Sequence, residues 1–584
     1  MRSVVAVLLL PALLVTLPLS GCKRAKRIAA QAAGSVGVSQ PTYTDAIQQA
    51  ISTGHMDALK WPDYSDVQAA VSGFYDSRDY TLAWSKDGKP TAQANELMQA
   101  FSNARKRGLE PEDYDASRWQ GRVAALSSDD GKVAFDTAMT VNAMRFLNAI
   151  HMGRTDPKFF AFGIDSSSKQ LDLPTVLTDQ IASASEVDKA LTDLEPQSAQ
   201  YKALRDQLPH YLDLAAQDHS DPLPSPGTSA ASLSRSYPGL AALQQKLQLL
   251  GDLQGGTDNT AANSGADASP SAAPGTSLDL ATLTDGVKHF QHRHGLPEDG
   301  KLSQATVAAL NVPITTRVNE IEDAMERWRW LPDQYQQPAI LVNLPEFVLR
   351  AFEGDTQQFN MRVVVGQSKE DEHHTPMIAD QMKYLVFRPF WNIPPSIAKK
   401  EILGHMQADP GYLSSHNFEA VNSKGEEVPA SAEAVEHSTV MVREKPGPKN
   451  SLGLVKFMFP NPFNVYLHDT NAHYLFARNR RDYSHGCVRV EDPPKLADWL
   501  LRDNSKWDPD TIQQTMNDDT VINKTVSLGK SVPVVLFYGT AYVDGGEMHF
   551  FQDLYGYDAD LEKELQHGYP FQHKPGRARG EASV

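Results

Sequence analysis

The sequence predicts a multidomain α+β protein: a helical scaffold domain over residues 56–216, a compact three-helix unit over 236–313, and a β-rich domain over 314–560 with a capping insertion at about 398–444. Three observations predict this. Apolar residues recur at helical spacing as far as Asn311, and from Ile340 they give way to short β-branched and aromatic runs. Two breaks rich in Pro, Ser, Gly and Ala, a linker at 217–235 and a low-complexity insertion at 254–277, interrupt the helical part. The length of 584 residues calls for three or four domains at the usual ~100–200 residues each.

The chain opens with "MRSVVAVLLLPALLVTLPLSGCKR": one positive charge at Arg2, an apolar run interrupted by Pro11 and Pro18, then small residues. This is the layout of a bacterial export signal over residues 1–21, too short and too broken for a spanning helix. "LSGC" resembles the lipobox of bacterial lipoproteins. That resemblance implies that Cys22 is acylated and becomes the new N-terminus, anchoring the protein on the periplasmic side of a membrane, with the outer membrane favoured because Lys23 and no aspartate follows. An ordinary secretory signal with an incidental cysteine is the alternative. Residues 22–55, small and polar, read as a tether. A net charge of -17 argues against nucleic acid as a partner, and 41% hydrophobic residues permit sizeable cores.

In the helical domain, "ANELMQAFSNARKRGLEPEDY" sets Leu97, Ala100, Phe101 and Ala104 on one face and stops at Gly108. "FDTAMTVNAMRFLNAIHMGR" repeats the pattern up to Gly153. No chemical motif stands here, and His151 reads as a core or surface residue. After the linker, "YPGLAALQQKLQLLGDL" places Leu240, Leu243, Leu247 and Leu250 on one stripe, and Ser303 caps a further helix. "GVKHFQHRHGLPEDGKLSQATVAALN" resembles the three-helix peptidoglycan-binding module of cell-wall enzymes. The resemblance implies wall glycan and stem peptides as partners; a bare spacer is the alternative.

"AILVNLPEFVLRAFEGD", "FNMRVVVGQ", "KYLVFRPFWNIPP" and "SVPVVLFYGTAYVD" read as strands, the polar segment 398–444 as an inserted cap, and residues 561–584 as an unfolded tail.

The chemistry concentrates in "YLHDTNAHYLFARNRRDYSHGCVRV". The chain has two cysteines; with Cys22 lipidated, Cys487 is left without a disulfide partner in an oxidising compartment. Such a thiol is either buried and inert or kept for its chemistry. His468 precedes it by a polar loop, Gly486 permits a tight turn, the amides of Gly486 and Cys487 are candidate oxyanion donors, and Arg489 adds positive charge. A zinc site built from His468, Asp469, His473, His485 and Cys487 is a competing reading, though its spacings match no zinc motif. A papain-like peptidase would need a helix behind the cysteine, where "CVRVEDPPKLADWL" is strand-like and then proline-interrupted.

"HD…SHGCVRV" resembles the signature of the L,D-transpeptidases (YkuD-type), and "NLPEFVLRAFEGD", "HHTPM", "FWNIPPSIAKKEI", "PGPKNSLGLVKFMFPN" and "LFYGTAYVD" are similar to its larger branch. That branch has a helical scaffold domain, a peptidoglycan-binding module and a capping insertion. The resemblance implies cross-linking of third-position residues of peptidoglycan stems through a thioester on Cys487, with D-alanine released and no cofactor or metal. L,D-carboxypeptidase activity and a non-catalytic, lipid-anchored wall tether are the alternatives. His468 would be base and then acid, its ring oriented by the Asp469 carbonyl, with Gly486 beside the nucleophile. Trp391, Tyr466, Tyr483, Ser484, His485 and Arg489 are the candidates for the substrate cleft. Periplasmic wall-synthesis proteins are further expected partners.

Overall fold

The computed structural model describes residues 43–227, 232–253 and 279–571. The export signal, Cys22 and the 254–277 insertion lie outside the described residues. No helix among those described is long and apolar enough to cross a membrane.

The helical domain is built around the helix Asp129–Met152, which Ser128 caps by accepting the Gly131 N–H (3.1 Å) and Gly153 ends. This helix is buried on nearly every face, so its polar residues need internal partners. Asp136 finds them in the backbone N–H groups of Ala83 and Trp84 and in the Tyr75 hydroxyl. The domain begins earlier than the sequence suggested: Thr44–Ile51 is a helix whose Ile47 and Ile51 enter the core, so this part of the expected tether is folded. Two turns with one apolar face are too short to stand out from a small polar segment.

The three-helix unit comprises Leu240–Leu249, Leu280–Arg293 and Gln304–Leu310, with Asp279 and Ser303 as caps for the last two. Leu243, Leu247, Val287, Phe290, Val307 and Leu310 fill its core. Part of the expected linker is structural. Leu223 is buried in this core, its N–H and C=O both held by the Asn311 amide (2.7 and 2.9 Å).

Helix Ile314–Trp330 leads into the β-rich domain. Nine strands form one sheet, in the order Asp482–Ser484, Thr356–Gly366, Val488–Val490, Leu467–His468, Val455–Met458, Ile378–Phe387, Lys524–Phe537, Ile340–Asn343 and Val348–Glu353. The last of these also pairs with Thr356–Gly366, closing the sheet into a barrel. The cap is a separate three-stranded sheet, Trp391–Asn392, Met441–Glu444 and Phe418–Val421, with short helices over a core of Ile393, Ala398, Ile402, Met406 and Val442. Trp391 and Ile393 therefore belong to the cap although they precede the expected boundary. The multidomain α+β class is the observed one.

The C-terminal part of the β-rich domain departs from expectation. Residues 561–571 are folded: Tyr557–Leu565 is a helix, and Tyr569 and Phe571 beyond it pack inward. Tyr569 reaches the helical domain, where its hydroxyl meets that of Tyr114 (3.2 Å) and its ring covers the Arg145 guanidinium (4.6 Å). Isolated aromatics in a polar stretch carry no periodic signal, so only this long-range packing reveals them.

Candidate active site

Cys487 occupies the bend between Asp482–Ser484 and Val488–Val490. The strand after it runs parallel to Leu467–His468, with Leu467 opposite Val488 and His468 opposite Arg489, and the Val488 N–H donates to the Tyr466 carbonyl (3.1 Å). This register sets Cys487 level with Tyr466, two residues from His468 on the same sheet face. Thiol and imidazole are thus diagonal neighbours on adjacent strands. The thiol points toward the Asn464 carbonyl (3.7 Å) rather than the ring, and catalytic pairs of this kind commonly tighten only around substrate.

The imidazole is fixed by its own backbone. His468 Nδ1 bonds the Asp469 carbonyl (2.5 Å), which requires the proton on Nδ1 and leaves Nε2 with a lone pair. The ring is buried, with Tyr466 edge-on to it at 5.8 Å. Burial, reinforced by Arg489 and Lys456, pushes its pKa down to about 3, so it rests neutral and able to accept a proton. The Asp469 carboxylate faces elsewhere, accepting the Leu454 and Thr470 N–H groups (2.7 Å each). Asp469 therefore acts on the ring only through its carbonyl.

Burial also pushes the Cys487 thiol up, against the opposing effects of the Tyr466 backbone and hydroxyl and of Lys456 and Arg489. The resting pair is a neutral thiol and a neutral imidazole.

The turn itself is held from behind. Gly486 has φ +118, a conformation that disfavours side chains, and its carbonyl accepts from Thr375 Oγ1 (2.8 Å). Thr375 in turn accepts the Gly366 N–H (2.9 Å). Ser484, expected in the cleft, is buried and works inward, its hydroxyl accepting the Gly486 N–H (3.1 Å) and donating to the Cys487 carbonyl (2.6 Å). The Gly486 amide is therefore committed and is not an oxyanion donor in this conformation. The Cys487 N–H has no acceptor among the described residues and is the available one.

The other cleft candidates divide. Tyr466 and Arg489 share the face with Cys487, and Arg489 Nε is buried without a partner among the described residues. Tyr483 is largely exposed under the Arg478 guanidinium (5.4 Å). Trp391 packs into the cap core, paired with Glu444. His485 turns to the cap, Nε2 to Glu401 Oε1 at 2.7 Å, close to the His373 ring. Of the residues of the zinc reading, His473 and Asp469 lie 3.7 Å apart, whereas His485 meets Glu401 and the Cys487 thiol points to the Asn464 carbonyl. Sequence reasoning missed Thr375, Glu401 and Lys456. All three lie in segments similar to the family, "HHTPM", "FWNIPPSIAKKEI" and "PGPKNSLGLVKFMFPN", and Lys456 has a further signal as a lone charge inside the apolar run "LVKFMF".

Residues 337–534 match the family described as "L,D-transpeptidase catalytic domain". The chain carries an L,D-transpeptidase catalytic domain. Residues 69–208 match a "Scaffold domain" family and 274–310 a "Putative peptidoglycan binding domain" family, so all three parts of the resemblance read from the sequence are found. A curated protein of Haemophilus influenzae described as "Putative L,D-transpeptidase" is 33% identical over 242 residues, which cover 40% of this chain and 47% of the relative. The chain thus spans about half the length of that curated relative. Both cysteine and histidine of the site lie inside the matched L,D-transpeptidase domain.

Proposed function

We propose that this protein is a cell-wall L,D-transpeptidase that joins third-position residues of peptidoglycan stems. The observation that supports it most is the register placing Cys487 diagonally beside a neutral His468 whose Nε2 is left able to accept a proton. The Cys487 sulfur attacks the carbonyl carbon of the third stem residue while His468 Nε2 takes the thiol proton. The Cys487 N–H faces the developing oxyanion. The bond to the terminal D-alanine breaks, the imidazolium returns its proton to the leaving amine, and a thioester remains. An amine of a second stem then displaces the sulfur, giving up its proton to His468. Water in that role yields a carboxypeptidase.

The three-helix module supports peptidoglycan as the partner, and Cys22 in "LSGC" supports a lipid anchor on the periplasmic side, the outer membrane favoured. The test is intact-mass analysis of separate samples of the protein, one mixed with a carbapenem and the other with a disaccharide-tetrapeptide. One adduct on Cys487, slowed in His468→Ala, together with D-alanine release and a dimer joined between third residues, is expected. Cys487→Ala should remain folded and lose at least ~10²-fold of turnover. Neither adduct nor D-alanine would favour a wall tether, and D-alanine without dimer a hydrolase.

A further inference from the structure

The sheet face that carries Cys487 holds a second cation besides Arg489. In the strand Val455–Met458, Val455 and Phe457 are buried in the barrel core, which turns Lys456 to the opposite face. Lys456 stands directly opposite His468, and His468 directly opposite Arg489, so the three form one row across adjacent strands. Cys487 and Tyr466 lie in the next row, and Lys456 Nζ is 5.4 Å from the centre of the Tyr466 ring.

Among the described residues no carboxylate comes within ion-pair distance of Lys456, whereas Arg350, Arg362, Arg388, Lys400 and Arg443 of the same domain each have one. Half-buried and unpaired, it is a costly way to support one tyrosine ring. Burial pulls its pKa down, and the one group identified as opposing this is Cys487.

We propose that Lys456 is a positioning residue for the nucleophile, its ammonium being the counter-charge that allows Cys487 Sγ to become a thiolate when its proton leaves. The other groups around the thiol divide in kind. Tyr466 and His468 come from the neighbouring strand and Arg489 from the thiol's own. His485, in its own turn, is engaged with Glu401, and His373 and His374 approach Gly486 through their carbonyls. Beyond the site, Tyr474 interacts with Arg489. Arg489 shares the stabilising task, so removing Lys456 weakens it without abolishing it. The inference draws its purpose from the acyl-transfer reading, but its test does not require peptide turnover.

The experiment follows carbamidomethylation of Cys487 by iodoacetamide, a neutral reagent, in the full chain between pH 6 and 10, with the site read by peptide mass. In Lys456→Met the apparent pKa of alkylation should rise by about one unit, with a roughly tenfold slower reaction at neutral pH. Lys456→Arg should restore both to within about threefold, since a guanidinium keeps the charge. With tetrapeptide substrate, kcat should fall in Lys456→Met while KM changes by less than about threefold. Circular dichroism establishes folding, and Lys456→Gln replaces the Met variant if that fails to fold. An alkylation profile unchanged in a folded Met or Gln variant overturns the proposal. A shifted profile in a protein that turns over no stem peptide upholds Lys456 and rejects the transpeptidase reading instead.

Discussion

Thr375 makes the sharpest structural prediction because its one hydroxyl serves two buried backbone groups of the active-site turn. It accepts the Gly366 N–H (2.9 Å) and donates to the Gly486 carbonyl (2.8 Å), and Thr375 itself is fully buried. Thr375→Val keeps the shape and removes both bonds, so two buried polar groups lose their partner with no cavity opened. Each orphaned group costs ~1–3 kcal/mol, and partial relaxation puts the sum at about 3 kcal/mol. For a catalytic domain of this size that corresponds to a fall in melting temperature of roughly 6–12 °C. Because Gly486 precedes the nucleophile, a shift of about 1 Å in the turn should cost up to ~10²-fold in acylation of Cys487. Thermal denaturation by circular dichroism and carbapenem acylation by intact mass measure the two effects. Thr375→Ser, which keeps the hydroxyl, should lose far less of either. A Val variant melting within 2 °C of wild type, or a Ser variant weaker than the Val variant, would show that the methyl rather than the hydroxyl holds the turn, the threshold being under ~1 kcal/mol.

Three further outcomes are expected. The unfolded His468 imidazole takes up a proton below about 6.5 and the folded one only near 3, so stability present above pH 6.5 is lost as pH falls through that window, by up to about 5 kcal/mol; His468→Gln should flatten this dependence in urea titrations at pH 7 and pH 4. Glu401→Gln removes the carboxylate through which the cap meets His485, and a partly exposed contact of this kind is worth under ~1 kcal/mol, so melting should hold while limited proteolysis within the cap accelerates. Cys22→Ser should abolish palmitate labelling and release the protein from the membrane fraction without altering the turnover of the soluble form, and an unlabelled wild type would refute the anchor.

Much of the architecture was legible because it rests on local pattern. The helix stops at Gly108 and Gly153, the Ser303 cap, the change of period at Ile340 and the Cys487 segment are all short-range signals. What escaped notice depends on contacts far apart in sequence. Nothing around Thr375 announces that it holds a carbonyl 111 residues away. The family resemblance counts Ser484 among the cleft residues, yet strand alternation turns it inward. Trp391 sits beside strand residues in sequence and folds with the cap instead.

The Tyr114–Tyr569 contact has a consequence for the order of assembly. It joins residues 455 positions apart, and a growing chain emerges N-terminus first. The helical domain can therefore form its long central helix early, but the Arg145 face stays uncovered until nearly the last described residues arrive. A nascent or prematurely terminated chain would carry that uncovered face, and a catalytic fragment made without the helical domain would carry the matching aromatic end bare. The covering of the Arg145 face thus waits on residues beyond the C-terminal helix, and only a molecule translated to Tyr569 has both surfaces closed.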